Sequence, residues 1–514
     1  MSGPSKRRQR WSAVGPATAL LVLAGCTATA GQTTTTPAPT TTTVVVTTDP
    51  IGSGGGLAGA AGLEDPYNPA AGNGGYNVIH YDLDLDLDVA TGALAGITTI
   101  EAIALNALSS FNLDLYDLDV SAVAVNGDMA DFTLDDGELT VLADLDRGSS
   151  FSVTVGYSGV AGQVSPDSVP IPNGWIRSRD GMFTVNEPDG AATSYPVNNH
   201  PSDKATYSIS VTVDVPYVAV SNGLLEETRS GEGTTTFVYA SDDPIASYLT
   251  VIAVGFFEEE AEAGPQGLPI RNYFPRDLTD VEREHFARQA EMIEFFAGLF
   301  GPYPFDSYGA VVVDADFAAA VETQTMSTFG RGVLGLGESV VAHELAHQWF
   351  GNSVTPASWK DIWLNEGFAT YAQWLWAEHV GGSQVLDNSV RAAYRQMSGL
   401  DLIAEGSSPE LAATLAAQQF PSPGAPPLDN LLNAAVYQRG ALTLHALRLR
   451  VGEDLFFELL RSYAMAYRHG NASTDDFIAV AEEISGQDLD DLFEAWLFAV
   501  VVPPILDLDL VPPG

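Results

Sequence analysis

The sequence predicts an α+β protein: an N-terminal antiparallel β domain followed by a mainly α-helical domain. Two observations support this. Short alternating apolar runs separated by turn residues fill about residues 65–258, and apolar residues recur at helical spacing from about residue 279 onwards. A chain of 514 residues is also too long for one compact core. We therefore divide it into residues 1–25, 26–64, 65–258 and 259–514.

Residues 1–25 have the features of an export signal. Basic residues lie between positions 6 and 10, and an apolar run at 13–23 is too short for a stable membrane anchor. The run ends in Leu23-Ala24-Gly25-Cys26, which resembles the bacterial lipobox, so we expect lipidation of Cys26. The Thr, Pro and Gly-rich residues 26–64 predict a flexible tether. We therefore expect an exported protein that is lipid-anchored to the outer face of a bacterial cell membrane.

Composition excludes several classes of partner and cofactor site. The net charge is −44, from 66 acidic and 22 basic residues. Nucleic-acid binding requires a positive footprint, so we expect no nucleic-acid partner. Cys26 is the single cysteine, which excludes intrachain disulfides and argues against a thiolate metal site.

The β domain is predicted from strand-like runs. Residues 81–89 (YDLDLDLDV) alternate strictly, which gives one Leu face and one Asp face. Turns are expected at Asn126-Gly127, Asp136-Gly137 and Asn222-Gly223. Further strands are predicted at 111–115, 139–142, 151–157, 207–215, 234–239 and 248–254.

The later region is predicted to be helical and poor in strands. One β run is expected at 308–313. Apolar spacing predicts helices at 281–300, 340–350, 367–380, 386–397, 433–451, 454–467, 474–484 and 489–499.

The helix VVAHELAHQWF at 340–350 contains the motif HExxH. His343 and His347 lie one turn apart on the same face, as two ligands of one metal ion require. Glu344 occupies the general-base position of this motif. Eighteen residues separate His347 from Glu366, which opens a second helical run. Two His and one Glu leave a fourth zinc position for water, the pattern of a catalytic site for one Zn²⁺.

These motifs resemble the M1 family of zinc aminopeptidases (gluzincins). The resemblance covers about residues 76–504 and rests on HELAH followed by WLNEGFA at 363–369, NHPSDKA at 199–205, GPYPF at 301–305 and VYQRGA at 436–441. It implies a thermolysin-like catalytic domain over residues 259–514. The chain ends soon after LFEAWL at 492–497, so we expect a short form without the family's C-terminal helical domain.

The resemblance also implies residue roles. Tyr437 matches the family tyrosine that stabilises the oxyanion, and Glu322 in AAVET matches the family glutamate that binds the substrate's α-amine. Glu187 in FTVNEP matches a second amine-binding acid. The sequence departs from the family's Gly-Ala-Met-Glu-Asn around Glu322, and Val185 replaces the usual Gln two positions before Glu187. These changes put the first side-chain pocket and strict exopeptidase behaviour in question.

The sequence thus predicts a zinc-dependent aminopeptidase acting on peptides with a free N-terminus. In this interpretation Glu344 is the general base and then the general acid. Two alternatives remain: a zinc endopeptidase of the thermolysin type, and a non-catalytic cell-surface peptide-binding protein. A substrate with a blocked N-terminus distinguishes the endopeptidase, which would still cleave it, from the aminopeptidase. A metal assay that found no zinc would favour the non-catalytic protein.

Overall fold

A computed structural model describes residues 56–513 except Asp167, Pro170 and Asp316. The predicted signal segment, Cys26 and most of the predicted tether lie outside the described residues. Within the described part, no helix combines the length and apolar character that a membrane span requires.

The first half of the described chain is built of β-strands. In chain order they are β1 (Leu57–Ala58), β2 (Tyr76–Asp88), β3 (Ala93–Ala104), β4 (Leu108–Asp114), β5 (Leu118–Val125), β6 (Asp128–Met129), β7 (Phe132–Asp135), β8 (Glu138–Leu145), β9 (Ser150–Val160), β10 (Gln163–Val164), β11 (Asn173–Arg177), β12 (Met182–Val185), β13 (Lys204–Asp214), β14 (Val218–Ser221), β15 (Leu224–Ser230), β16 (Thr234–Ala246) and β17 (Ile252–Gly255). Eight of them form one sheet in the order β15-β16-β13-β2-β3-β9-β5-β6. A five-stranded sheet, β10-β11-β12-β17-β14, carries the β domain's contribution to the site.

The alternation in β2 explains how the large sheet packs. Leu83, Leu85 and Leu87 are at most 1% exposed, whereas the aspartates between them face solvent. Burying a Leu side chain contributes about 1.5–3 kcal/mol, so the Leu face fixes the register of β2.

The second half combines a mixed sheet with helices. Its strands are β18 (Phe257–Ala263), β19 (Pro269–Pro275), β20 (Tyr308–Val313), β21 (Ala320–Val321), β22 (Ser327–Gly330), β23 (Val354–Pro356) and β24 (Gly470–Ala472). Its helices are α1 (Asp280–Arg283), α2 (Gln289–Phe300), α3 (Glu338–Ala346), α4 (Trp363–Gly381), α5 (Ser383–Ser398), α6 (Leu400–Ala404), α7 (Pro409–Gln419), α8 (Ala434–Val451), α9 (Glu453–Ala466), α10 (Thr474–Ser485) and α11 (Asp490–Phe493). The sheet order is β18-β19-β20-β22-β21.

The predicted α+β class and the order of its two parts are confirmed. Three local predictions are wrong. Residues 247–249 form a 3₁₀ turn, and β17 starts at Ile252. The helix predicted at 281–300 is interrupted between α1 and α2. The later region is richer in strands than predicted, since β18 to β22 form a complete sheet.

Candidate active site

The motif helix α3 and the following helix α4 carry the predicted metal ligands. His343 lies on α3 and His347 directly follows its last residue, while Glu366 lies in the first turn of α4. Both helices are buried on most sides, and Val341, Leu345 and Trp363 are fully buried. Apolar packing therefore fixes the two helices without help from a metal.

The three predicted ligands converge. The distance from His343 Nε2 to Glu366 Oε2 is 3.3 Å, and that from His347 Nε2 to the same oxygen is 3.6 Å. Ligand atoms around one tetrahedral zinc lie about 3.3 Å apart, given bond lengths of about 2.0–2.1 Å. The donor set and its spacing therefore fit one zinc ion.

The backbone after α3 orients the second histidine. His347 Nδ1 lies 3.1 Å from the carbonyl oxygen of Phe350, so an Nδ1–H donates there and leaves Nε2 free for the metal. Gly351 has φ +120°, and a Cβ there would lie 3.1 Å from His347 Nδ1. Glycine at this position therefore keeps space for the imidazole.

The charges around these ligands favour a cation. Burial alone would lower the pKa of His347, but the negative charges of Glu322 and Glu366 outweigh it and raise the pKa to about 10. Burial alone would raise the pKa of Glu366, but His347 and His343 hold it at about 2.

Glu344 lies close to His347 and Glu322. It is 5% exposed, and burial raises the pKa of its carboxyl well above the ordinary value. One oxygen of Glu344, one oxygen of Glu322 and one nitrogen of His347 lie within 4.8 Å of one another. The carboxyl thus faces the space next to the metal position.

A close helix crossing brings Tyr437 to this space. A Cβ at Gly440 would lie 2.9 Å from Gly367 Cα, so α4 and α8 approach backbone to backbone. Glu366 precedes Gly367 and Tyr437 lies one turn before Gly440. The Tyr437 ring stacks at 6.1 Å from that of His343. Burial and the negative charge of Glu366 raise the pKa of Tyr437 well above its ordinary value, so the phenol keeps its proton.

Two acidic side chains from different parts of the chain complete the site. Glu187 follows β12 and is 6% exposed; Glu322 follows β21 and is 3% exposed. One oxygen from each lies within 4.8 Å of an oxygen of Glu366. Oε1 of Glu187 and Oε1 of Glu322 are buried and have no hydrogen-bond partner in the described part of the chain.

Burial raises the pKa of both acids, and for Glu187 the charges of Glu322 and Glu366 add to this effect. A carboxylate pair with unused acceptors is suited to an ammonium group, which supplies both the positive charge and N–H donors.

The altered segment around Glu322 is held through its backbone. Gln348 Nε2 and Asn352 Nδ2 donate to the Glu322 carbonyl oxygen over 3.2 Å and 2.7 Å. The hydroxyl of Thr323, which stands in place of the family Asn, bonds locally to the Met326 carbonyl and lies 3.0 Å from Thr328 Oγ1. The Glu322 carboxylate is thus free to face the site.

The residues that connect these parts carry no local sequence signal of their role. Asn222 and Tyr248, both in the β domain, bond to the segment of Glu322 and to the neighbour of Glu366 respectively. Their partners lie about a hundred residues away in the chain, and no local pattern indicates such a contact. The sequence predicts Asn222 only as part of the turn Asn222-Gly223.

Comparison with known proteins agrees with this geometry. Residues 284–496 match the peptidase family M1 domain and residues 77–249 match the peptidase M1 N-terminal domain. An M1 zinc metallopeptidase variant from Deinococcus radiodurans, bound to a Tyr-Ser-Ala substrate, is 30% identical with a TM-score of 0.76. The alignment covers 88% of this chain and all of that one.

Curated relatives are longer. Aminopeptidase M1 of Arabidopsis thaliana is 29% identical over 331 residues, which cover 61% of this chain and 36% of the relative. Aminopeptidase M1-B of Oryza sativa subsp. japonica is 27% identical over 458 residues, which cover 81% of this chain and 49% of the relative. The chain thus spans about half or less of the length of these relatives.

The fold and the two-histidine, one-glutamate site define a zinc metallopeptidase. The chain belongs to peptidase family M1, which confirms the resemblance seen in the motifs and the expected single zinc ion.

Proposed function

We propose that the protein is a zinc-dependent aminopeptidase that removes residues from the free N-terminus of peptides. The observation that carries this proposal is the buried pair Glu187 and Glu322, each with an unpartnered oxygen close to the metal ligands. A peptide ammonium bound there places the first peptide bond beside the zinc position. The M1 relatives named aminopeptidases support the same activity.

The roles of the residues follow from their positions. His343, His347 and Glu366 hold the zinc ion. When bound, zinc polarises the scissile carbonyl and lowers the pKa of water toward neutrality. Glu344 takes a proton from the attacking water and returns it to the leaving amine. Tyr437 donates a hydrogen bond from its phenolic hydroxyl to the oxygen that develops negative charge.

A set of aminoacyl chromogenic substrates, each with a free and an acetylated amine, tests the proposal. The account predicts hydrolysis of the free-amine forms, loss of hydrolysis with a chelator, and no hydrolysis of the acetylated forms. Equal hydrolysis of both forms would instead indicate an endopeptidase. Absence of both zinc and hydrolysis would favour a non-catalytic peptide-binding protein.

We also propose that the protein is exported and anchored by a lipid on Cys26 to the outer face of the cell membrane. The basic N-terminus, the short apolar run and the Leu-Ala-Gly-Cys sequence support this. Cys26→Ser should move the protein from the membrane fraction to the soluble fraction in cell fractionation. Membrane association of that variant equal to the unmodified chain would contradict the anchor.

A further inference from the structure

Residues 247–251 of the β domain are hydrogen-bonded to the chain segments that carry Glu187, Glu322 and Glu366. This segment contains the 3₁₀ turn Ser247–Leu249 and ends just before β17. Tyr248, Leu249 and Val251 are fully buried. We call its contacts with the segments next to His347 and Glu366 the metal side, and its contacts with the segments next to Glu322 and Glu187 the amine side.

On the metal side, Tyr248 bridges the segment after His347 and the residue before Glu366. Its hydroxyl donates to the carbonyl oxygen of Gly351 over 3.0 Å, four residues after His347. Asn365 Nδ2 donates to the same hydroxyl over 3.2 Å, and Asn365 immediately precedes Glu366. One phenol thus ties together the chain beyond His347 and the first turn of α4.

On the amine side, the link runs through backbone groups and Asn222. The Gln324 amide donates to the Leu249 carbonyl over 3.1 Å. Asn222 Nδ2 donates to the carbonyl oxygens of Leu249 at 2.9 Å and Gln324 at 2.7 Å. Asn222 Oδ1 accepts from the Val251 amide at 2.7 Å. Asn222, 1% exposed, therefore joins the segment to the loop of Glu322.

The second amine-side acid is tied to the same segment. Asn186 precedes Glu187, and its Nδ2 donates to the Thr250 carbonyl oxygen over 2.8 Å and to Thr250 Oγ1 over 2.9 Å. Glu187, Glu322 and Glu366 thus each have a neighbour bonded to residues 247–251.

We propose that residues 247–251 form a positioning frame that sets the zinc site and the amine site relative to each other. Tyr248 positions the zinc ligands, and Asn222 positions the loop of Glu322. The amine half of this inference rests on the proposed function, whereas the zinc half does not. Neither residue reacts with the substrate; each acts through its bonded neighbours.

Tyr248→Phe tests the metal side in the full chain. The change leaves the Gly351 carbonyl and the Asn365 side-chain amide without their partner. Loss of a group bonded directly to a metal ligand weakens metal binding about 10–100-fold, and because Tyr248 acts through neighbours of the ligands we expect the lower end of that range, about tenfold. The zinc dissociation constant of the apo protein, measured by competition with a chromogenic chelator, should rise by that factor. Leucine binding at saturating zinc should stay unchanged.

Tyr239→Phe is the matched control. Tyr239 is also fully buried in the β domain, and its hydroxyl also donates to a backbone carbonyl, that of Ala219, over 2.9 Å. Its loss should leave the zinc dissociation constant unchanged. Equal zinc dissociation constants for the two variants would overturn the metal half of the proposal.

Asn222→Ala tests the amine side. Calorimetry at saturating zinc compares L-leucine with N-acetyl-L-leucine as probes. The variant should bind L-leucine about tenfold more weakly, as expected when buried hydrogen bonds are lost, with no change in zinc affinity. Binding of the acetylated probe should not change, because it lacks the ammonium group.

Asn198→Ala is the control for this arm. Asn198 is 1% exposed and its side chain exchanges hydrogen bonds with the Asn73 backbone. Its loss should lower the melting temperature without changing leucine affinity.

Unchanged leucine affinity in Asn222→Ala would overturn the amine half of the proposal. A wild-type protein that does not prefer L-leucine over its acetylated form would overturn the amine half together with the proposed function, while the zinc half is still decided by Tyr248→Phe.

Discussion

Glu344 is the residue on which the proposed chemistry depends most. One of its carboxyl oxygens lies within 4.8 Å of a nitrogen of His347, and this position of the HExxH motif is that of the general base and not of a ligand. Glu344→Gln should therefore bind zinc like the wild type but lose about 10³-fold or more in kcat, equivalent to about 4 kcal/mol of transition-state stabilisation. Metal content and steady-state kinetics on the same preparation measure both quantities.

Glu338→Gln is the control for this substitution. Glu338 lies in the first turn of the same helix and pairs with Arg288 over 3.2 Å, away from the metal ligands. Its kinetics should match the wild type. Near-normal turnover of Glu344→Gln would rule out its role as the base.

Asp114 predicts a pH dependence of stability. Its carboxyl is 3% exposed and accepts hydrogen bonds from Asn73 Nδ2 and the Asn199 amide. Burial raises its pKa to about 8 from an ordinary value of 3.8. The protonated form is favoured in the folded state, so this contribution to stability is full below about pH 4 and is lost as the pH rises through 8.

Asp114→Asn removes this titration. Between pH 4 and 8 the wild type should lose up to about 1.4 kcal/mol per pH unit relative to the variant. Urea unfolding of both proteins at several pH values measures the difference. Parallel stability curves for wild type and variant would contradict the assignment.

At the residue scale, the two histidines of the proposed zinc site are predictable from the sequence because helical spacing fixes their geometry. His343 and His347 are one turn apart in any helix, and the structure places Oε2 of the third predicted ligand, Glu366, 3.3 Å and 3.6 Å from their Nε2 atoms. Glu187 and Glu322 came from the family resemblance and not from spacing. Asn222 and Tyr248 could not be predicted, because their contacts depend on how distant segments meet.

At the element scale, the close crossing of α4 and α8 determines the relation of Glu366 to Tyr437. Gly440→Ala would place a methyl group 2.9 Å from Gly367 Cα. Overpacking of this kind costs about 1–3 kcal/mol and forces the helices apart. We expect a lower melting temperature and a lower kcat, since Tyr437 moves with α8.

Gly298→Ala provides the matched control in α2. A Cβ there meets nothing within 4 Å. Because alanine favours a helix interior over glycine, this variant should be more stable by about 0.5–1 kcal/mol with unchanged kcat. A Gly440→Ala protein with wild-type kcat would show that the crossing does not position Tyr437.

Helices were predicted better than the later strands for a physical reason. Helical hydrogen bonds are local, so α4, α5, α8, α9 and α10 follow from their own apolar spacing. Strand β18 reads FEEEAEA, with one buried residue, and its conformation comes from pairing with β19. The turn at 247–249 was mistaken for a strand because its apolar residues are buried by contacts across the site.

At the scale of the whole molecule, both parts of the chain contribute acids to the site. Glu187 comes from the β domain, and Glu322 and Glu366 come from the later region. The α+β class and the domain order follow from the change of apolar period. The position of the two parts relative to each other cannot be predicted from this pattern, because it depends on long-range contacts such as the hydrogen bond from Tyr248 to Gly351.

Zinc should stabilise the molecule without being needed for its fold. The ligand-bearing helices are packed by buried apolar residues, so the apo protein should keep its far-UV circular dichroism. Zinc at 100 times its dissociation constant should add about 2.7 kcal/mol to the free energy of unfolding. Thermal melts with zinc and with magnesium measure the effect.

Glu366→Gln provides the reference for these melts, because it removes the carboxylate ligand. The zinc-dependent rise in melting temperature should be small in this variant and absent with magnesium in both proteins. A wild-type melting temperature that does not change when zinc is added would contradict the proposed zinc site.

The most direct test of the central claim is a peptide digestion followed by mass spectrometry. One peptide is supplied with a free N-terminus and with an acetylated N-terminus, to zinc-loaded protein and to chelated protein. The account predicts stepwise loss of single residues from the N-terminus of the free peptide with zinc-loaded protein, and an intact peptide in the other three reactions. Internal cleavage of the acetylated peptide would contradict it.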